Sequence, residues 1–164
     1  MAPQAQGARS RRRGAHGRAL TTRLFVYGTL APGRDAWPVL EPWVVGDPQP
    51  DAVAGCLYDT GRGYPAATFG APESDESLNE SSTRITTGLV HGTVLALDPA
   101  RAGAALAALD RYEGHEYQRI SVRTRAGLEA AAYAWIAPLA GCRPVPNGRW
   151  DDRPQAETPP PPGR

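Results

Sequence analysis

Two stretches, far apart in the chain, carry residue types that could do chemistry. One is Leu109-Asp110-Arg111-Tyr112-Glu113-Gly114. If a helix ends here, Glu113 sits in its last turn, where the negative end of the helix dipole raises a carboxyl pKa. Partial burial near Tyr112 and Tyr117 would push the same way, towards a value useful to a general base near neutral pH. The competing reading is a solvated Glu113 paired with Arg111 or Arg119. From these residues alone it is the stronger of the two.

The other stretch is Arg23-Leu24-Phe25-Val26-Tyr27-Gly28-Thr29-Leu30. Leu24 to Tyr27 read as a short strand buried on both faces. Gly28 then lets the backbone turn with positive φ or approach a neighbour closely. A strand ending in Gly-Thr leaves N–H groups that can hold an anion or a carbonyl oxygen. An ordinary turn after a buried strand competes with this, and local physics favours the turn.

Other chemistries find little support. Cys56 and Cys142 show no Cys-x-x-Cys spacing, and His16, His91 and His115 do not cluster, so no metal set is read. Neither cysteine has a histidine in a recognisable catalytic pattern, and Gly-x-Ser-x-Gly is absent. No phosphate loop or dinucleotide fingerprint occurs. His91, inside an apolar run, reads as a core or sheet-surface histidine. Both thiols read as reduced, in a cytoplasmic protein, although a disulfide between them stays open.

The elements that must position these stretches follow in chain order. At 164 residues the chain fits one domain with a real core. All 18 basic residues are Arg, and five of them fall in residues 1–22 with no acid, leaving a net −4 for the rest of a +1 chain. Such a mildly acidic body offers no nucleic-acid face, which needs clustered positive charge. Residues 1–21 read as a disordered basic tail, 22–150 as the folded domain, and 151–164 as a disordered Pro-rich tail. No apolar window is long enough for a membrane span, and none follows Arg11-Arg12-Arg13 as an export signal requires.

Within the domain, Arg34–Leu40 predicts either one or two helical turns or a loop pinned by Trp37. Val44–Gly46 and Ala52–Tyr58 predict two strands separated by a loop at Pro48–Asp51. Tyr64–Thr68 predicts another extended run, and residues 71–83 an exposed acidic loop. Leu89–Leu97 is a strong strand. Asp98 as cap and Pro99 at the first helical position predict a helix start. Ala102, Ala105, Leu106 and Leu109 form its apolar stripe, and Gly114 its stop. Tyr117–Thr124 alternates, and Arg125-Ala126-Gly127 returns it into Leu128–Ile136 as a hairpin. Six or seven strands, one clear helix and no βαβ alternation predict an α+β protein with a curled or closed, mostly antiparallel sheet.

Four motifs in order now bear on function. They are Tyr27-Gly28-Thr29-Leu30; Gly55-Cys56-Leu57-Tyr58-Asp59 with Gly63-Tyr64-Pro65-Ala66; Val90-His91-Gly92-Thr93-Val94; and Leu109–Gly114 with Tyr117-Gln118-Arg119. Together they resemble the gamma-glutamylcyclotransferase-like (AIG2-like) family over about residues 23–137. The resemblance implies a small β-barrel of mixed, mostly antiparallel strands with one main flanking helix. It implies release of 5-oxoproline from a gamma-glutamyl amine or amino acid, a cofactor-independent ring closure of acyltransferase or lyase type. It further implies Glu113 as the acid/base, Tyr27, Gly28, Thr29 and Leu30 as the substrate loop, and no metal. Tyr117 and Tyr64 would be pocket walls, with plain core packing at least as good an account of each. The chain departs from the family in its longer acidic stretch at 71–83 and in the short gap Gly114-His115-Glu116 before Tyr117.

The expected partner is a small gamma-glutamyl molecule, with no nucleic acid on the folded domain and no membrane; the oligomeric state is not legible. Two other classes compete: a non-catalytic small-molecule or peptide-binding module on the same barrel, and polyanion binding through Arg11–Arg13.

Overall fold

A computed structural model describes residues 21–70 and 88–150. The two expected tails and the acidic loop at 71–83 lie outside the described residues, apart from Thr21. The elements are β1 (Arg23–Val26), α1 (Trp37–Leu40) with a following 3₁₀ turn (Glu41–Trp43), β2 (Val44–Asp59), β3 (Pro65–Phe69) and β4 (Leu89–Leu97). Then come α2 (Ala102–Glu113), a second 3₁₀ turn (Gly114–Glu116), β5 (Tyr117–Arg123), β6 (Glu129–Trp135) and β7 (Arg143–Pro144).

The strands lie in the order β3-β2-β4-β1-β6-β5, with β7 beside β2. Every pairing is antiparallel except β1 with β6, where Leu24 faces Ala131 in parallel. The sheet curls into a nearly closed mixed barrel, an α+β fold. Its two edge elements meet where the Tyr117 hydroxyl donates to the Pro65 carbonyl at 2.6 Å.

β1 is central, and its alternation explains why four consecutive side chains are buried. Leu24 and Val26 pack outward against Leu40 from α1 and Ala105 and Leu109 from α2. Phe25 and Tyr27 point into the barrel, against Val53, Leu57, Val90 and Val94. Each fully buried Leu or Phe contributes about 1.5–3 kcal/mol, so β1 anchors both cores. The stripe of α2 is buried at Ala102, Ala105 and Leu109, with Leu106 half-buried. Its alanines let the helix lie close to the sheet.

Three sequence expectations need correction. Val44–Gly46 and Ala52–Tyr58 belong to one sixteen-residue strand. A bulge between Val45 and Gln49, with Gly46 at φ 71°, absorbs the extra residues and spares Pro48 from the hydrogen-bond ladder. Asp98 does not cap α2; its carboxylate accepts from Ala100 N–H (3.0 Å) and Arg101 Nε (3.1 Å), closing a turn. The helix starts three residues later, with Arg101 at the cap position. In β5 the inward alternation holds from Ile120 to Thr124, but Tyr117 is half-buried and Gln118 exposed. The edge strand begins under α2, whose cover favours the Tyr117 face.

Arg34–Leu40 resolves as a four-residue helix at its C-terminal end. Both cysteines are free thiols. Among the described residues no helix is long and apolar enough to cross a membrane.

Candidate active site

At the end of β1 the chain needs Gly28 for space and not for an unusual φ. A Cβ built there would stand 2.6 Å from Pro65 Cγ, so the loop and β3 touch only because residue 28 has no side chain. The following turn uses its carbonyls internally: Ala31 N–H donates to Gly28 (3.1 Å) and Ala36 N–H to Thr29 (3.0 Å). The N–H groups of Gly28, Thr29 and Leu30 donate to nothing among the described residues. Three backbone donors are therefore left for a ligand.

The end of α2 supplies the carboxylate. Gly114, at φ 72° and ψ −160°, occupies backbone space open essentially to glycine alone, and its N–H closes the helix on Asp110 O. The chain leaves sharply into β5, and Glu113 stays half-buried under it. A cavity of about 370 Å³ opens between these ends. Tyr27, Gly28, Thr29, Leu30, Glu113 and Tyr117 all line it, so six residues from three parts of the chain share one space. Gly28 can line it only with backbone.

Burial raises the Glu113 pKa to about 7. No cation offsets this: among the described residues no ion pair or hydrogen bond reaches its carboxylate. The solvated-pair reading fails on both partners: among the described residues Arg111 makes no ion pair, and Arg119 is taken up elsewhere. Arg119 pairs with Asp110 at 3.3 Å, and Asp110 also accepts from the Tyr133 hydroxyl at 2.7 Å. That neighbour takes up the arginine and leaves Glu113 facing the cavity.

Tyrosines surround the carboxylate. The Tyr27 hydroxyl donates to Tyr133 O at 2.6 Å, and that of Tyr117 to Pro65 O, so both rings are held as walls with their protons committed. Burial first, with the charge of neighbouring Glu113 adding to it, pushes the Tyr27 pKa well up. Burial and then Glu113 do the same for Tyr117. Both phenols stay neutral, which keeps a second negative charge away from Glu113.

Sequence reasoning missed Glu116 and Arg62, and noted Tyr64 only as a wall. Glu116 lines the cavity and accepts from Arg62 Nη2 (2.9 Å) and the Tyr64 hydroxyl (3.2 Å). The Arg62 hydrogen bond holds the Glu116 pKa down, so it is ionised at pH values where Glu113, three residues away, still holds its proton. Arg62 also lies over the rings of Tyr64 (4.9 Å) and Trp135 (5.6 Å). The available signal was Arg62 between two turn glycines, which gave no hint of its distant partner.

A half-buried carboxyl with a raised pKa, across a small cavity from a loop whose three backbone N–H groups are unpaired among the described residues, suits acyl chemistry on a small substrate. Residues 24–152 match the family described as Gamma-glutamyl cyclotransferase, AIG2-like. The chain belongs to that family. Comparison with curated protein sequences gave no match. Among solved structures it is similar to uncharacterized protein PH0828 from Pyrococcus horikoshii, with 20% identity and a TM-score of 0.57 over 80% of this chain and 91% of that one. It is also similar to c4763, a uropathogenic E. coli-specific protein, with 19% identity and a TM-score of 0.59 over 79% and 92%. Kluyveromyces lactis allophanate hydrolase contains the same fold within a much longer chain, at 13% identity and a TM-score of 0.57 over 80% and 20%. At these identities the likeness is one of fold.

Proposed function

We propose that the protein is a gamma-glutamyl cyclotransferase that releases 5-oxoproline from a gamma-glutamyl amine or amino acid. The observation that carries this reading is Glu113: half-buried, unpaired among the described residues, with a pKa near 7 and facing the cavity that the β1 loop also lines. Membership of the family supports the reaction class.

A gamma-glutamyl group carries its own nucleophile. Its α-amine attacks the γ-carbonyl, a C–N bond closes the five-membered ring, and the bond to the leaving amine breaks. The main task is to hold the substrate folded, which in favourable intramolecular cases is worth about 7–11 kcal/mol. Glu113 accepts a proton from the α-ammonium and returns it to the departing amine, which also takes the second proton that the attacking nitrogen loses as the ring closes and so leaves as an ammonium. A pKa near 7 suits both transfers at neutral pH. The N–H groups of Gly28, Thr29 and Leu30 hold the substrate carboxylate or the developing oxyanion. The rings of Tyr27 and Tyr117 wall the pocket. No metal or cofactor is needed for any step, because the nucleophile and electrophile belong to one molecule. The two free thiols suit a reducing compartment, and the cytoplasm is the proposed location.

Incubation with a panel of gamma-glutamyl amines and gamma-glutamyl amino acids, with 5-oxoproline quantified, tests this. Wild type should turn over at least one of them, and Glu113→Gln should lose about 10²–10⁴-fold of the rate. Retention of gamma-glutamyl ligands without product would instead identify a binding module on the same barrel. Turnover undiminished in Glu113→Gln would remove Glu113 from the mechanism.

A further inference from the structure

Behind the wall formed by Tyr27 and Gly28 lies a second cavity, about 440 Å³, outside the site described above. Three elements bring basic side chains to it. His91 comes from β4, Arg125 from the turn between β5 and β6, and Arg149 from the C-terminal segment. The backbone fixes their approach: Arg125 N–H donates to Ala52 O (2.8 Å) and His91 N–H to Gly148 O (2.8 Å).

The charge here is unbalanced. Asp51 also lines the cavity, but it is engaged elsewhere, accepting from Ala52 N–H (2.8 Å) and Ala126 N–H (3.4 Å). Burial opposes its ionisation, yet hydrogen bonds from the Thr124 hydroxyl and those two N–H groups, joined by the charge of nearby Arg125, outweigh it and hold the pKa down. Among the described residues neither Arg125 nor Arg149 makes an ion pair. Burial, then Arg149 and Arg125, holds the His91 pKa below its ordinary value. Two arginines and a histidine thus line one space against a single carboxylate, which is hydrogen-bonded to neutral donors and feels the charge of Arg125, so one positive charge remains in excess.

We propose that this second cavity binds a phosphoryl dianion, as inorganic phosphate or as a phosphate monoester, between Arg125 and Arg149 with His91 as the third donor. Planar guanidinium forks match the oxygens of such a group, and two of them with a protonated His91, less the charge of Asp51, match its charge. The volume exceeds what a bare phosphate fills, leaving room for the organic part of an ester. His91 protonates when the dianion enters, because the anion offsets the two arginines that keep it neutral.

The test is an NMR titration of the histidine side chains in the full-length protein at constant ionic strength, with inorganic phosphate and with phenyl phosphate. His115 acts as the internal reference. Saturable shifts at His91 and a raised His91 pKa in the bound state are expected. Arg125→Gln/Arg149→Gln should weaken binding at least about tenfold; both side chains are exposed, so the fold does not depend on them. Tighter binding of the ester assigns the rest of the cavity to an organic group, and equal binding assigns the site to free phosphate. The proposal is overturned if His91 shifts no more than His115, if acetate at the same ionic strength competes equally, or if the double variant binds as well as wild type. Glu113→Gln should leave phosphate binding unchanged; a change there, above all tighter binding once that carboxylate's repulsion is gone, would move the anion into the substrate cavity and also overturn it. None of these readouts depends on turnover.

Discussion

At Glu113 stability and chemistry pull in opposite directions. Its pKa lies at about 7 in the folded protein, against an ordinary 4.5, because burial disfavours the charge. Between those values the unfolded chain has released a proton that the folded chain still holds. Stability therefore falls as pH rises through that window, and the full penalty is present above about pH 7. A shift of this size corresponds to roughly 3 kcal/mol as an upper limit. Glu113→Gln should accordingly be more stable than wild type at pH 8 and equal to it at pH 4, as read from urea unfolding midpoints. A variant equally stable at both values would mean that the carboxyl is not buried in solution. Glu116 shows the contrast: paired with Arg62 and partly exposed, it has nothing to lose at neutral pH.

At the scale of elements, the site exists because the end of β1 touches the start of β3. Gly28 allows that contact, and the Pro65 carbonyl then receives the Tyr117 hydroxyl, which ties β3 to β5. A methyl group at position 28 must displace Pro65 and with it the position of Tyr117. Overpacking of this kind costs about 1–3 kcal/mol. Gly28→Ala should fold, with an unchanged far-UV circular dichroism spectrum, while losing most turnover. Gly103→Ala in α2, where the added Cβ meets nothing within 4 Å and the backbone is helical, controls for the loss of a glycine. If both variants keep full activity, the contact between loop and β3 does not shape the site.

For the whole molecule, the residues after β6 act as a strap across the barrel. β7 pairs with Tyr58 and Asp59, Val145 N–H donates to Leu57 O (2.8 Å), and Gly148 O receives His91 N–H. The strap ends at Trp150, only 6% exposed and packed in the barrel core with Phe25 and Tyr27. Loss of a buried Trp side chain costs about 3–5 kcal/mol. Trp150→Ala should therefore lower the thermal midpoint by on the order of 10 °C. A change of a degree or two would show that the strap rides on a barrel stable without it.

Local pattern was enough for much of this. β1, β4 and the hairpin of β5 with β6 were legible because burial imposes alternation or continuous apolar runs on nearby residues, and Gly114 marked the end of α2 because few other residues tolerate its φ and ψ. The family, too, was readable from four ordered motifs. The start of α2 was not, because Asp98 satisfies its cap preference in a turn of its own. What only the tertiary structure decided was pairing across distance. It gave Arg119 to Asp110 and so freed Glu113, joined Arg62 to Glu116 across 54 residues, and set Gly28 against Pro65. A carboxyl is a base or a surface charge according to which cation reaches it, and that is a property of three-dimensional proximity that no local spacing encodes.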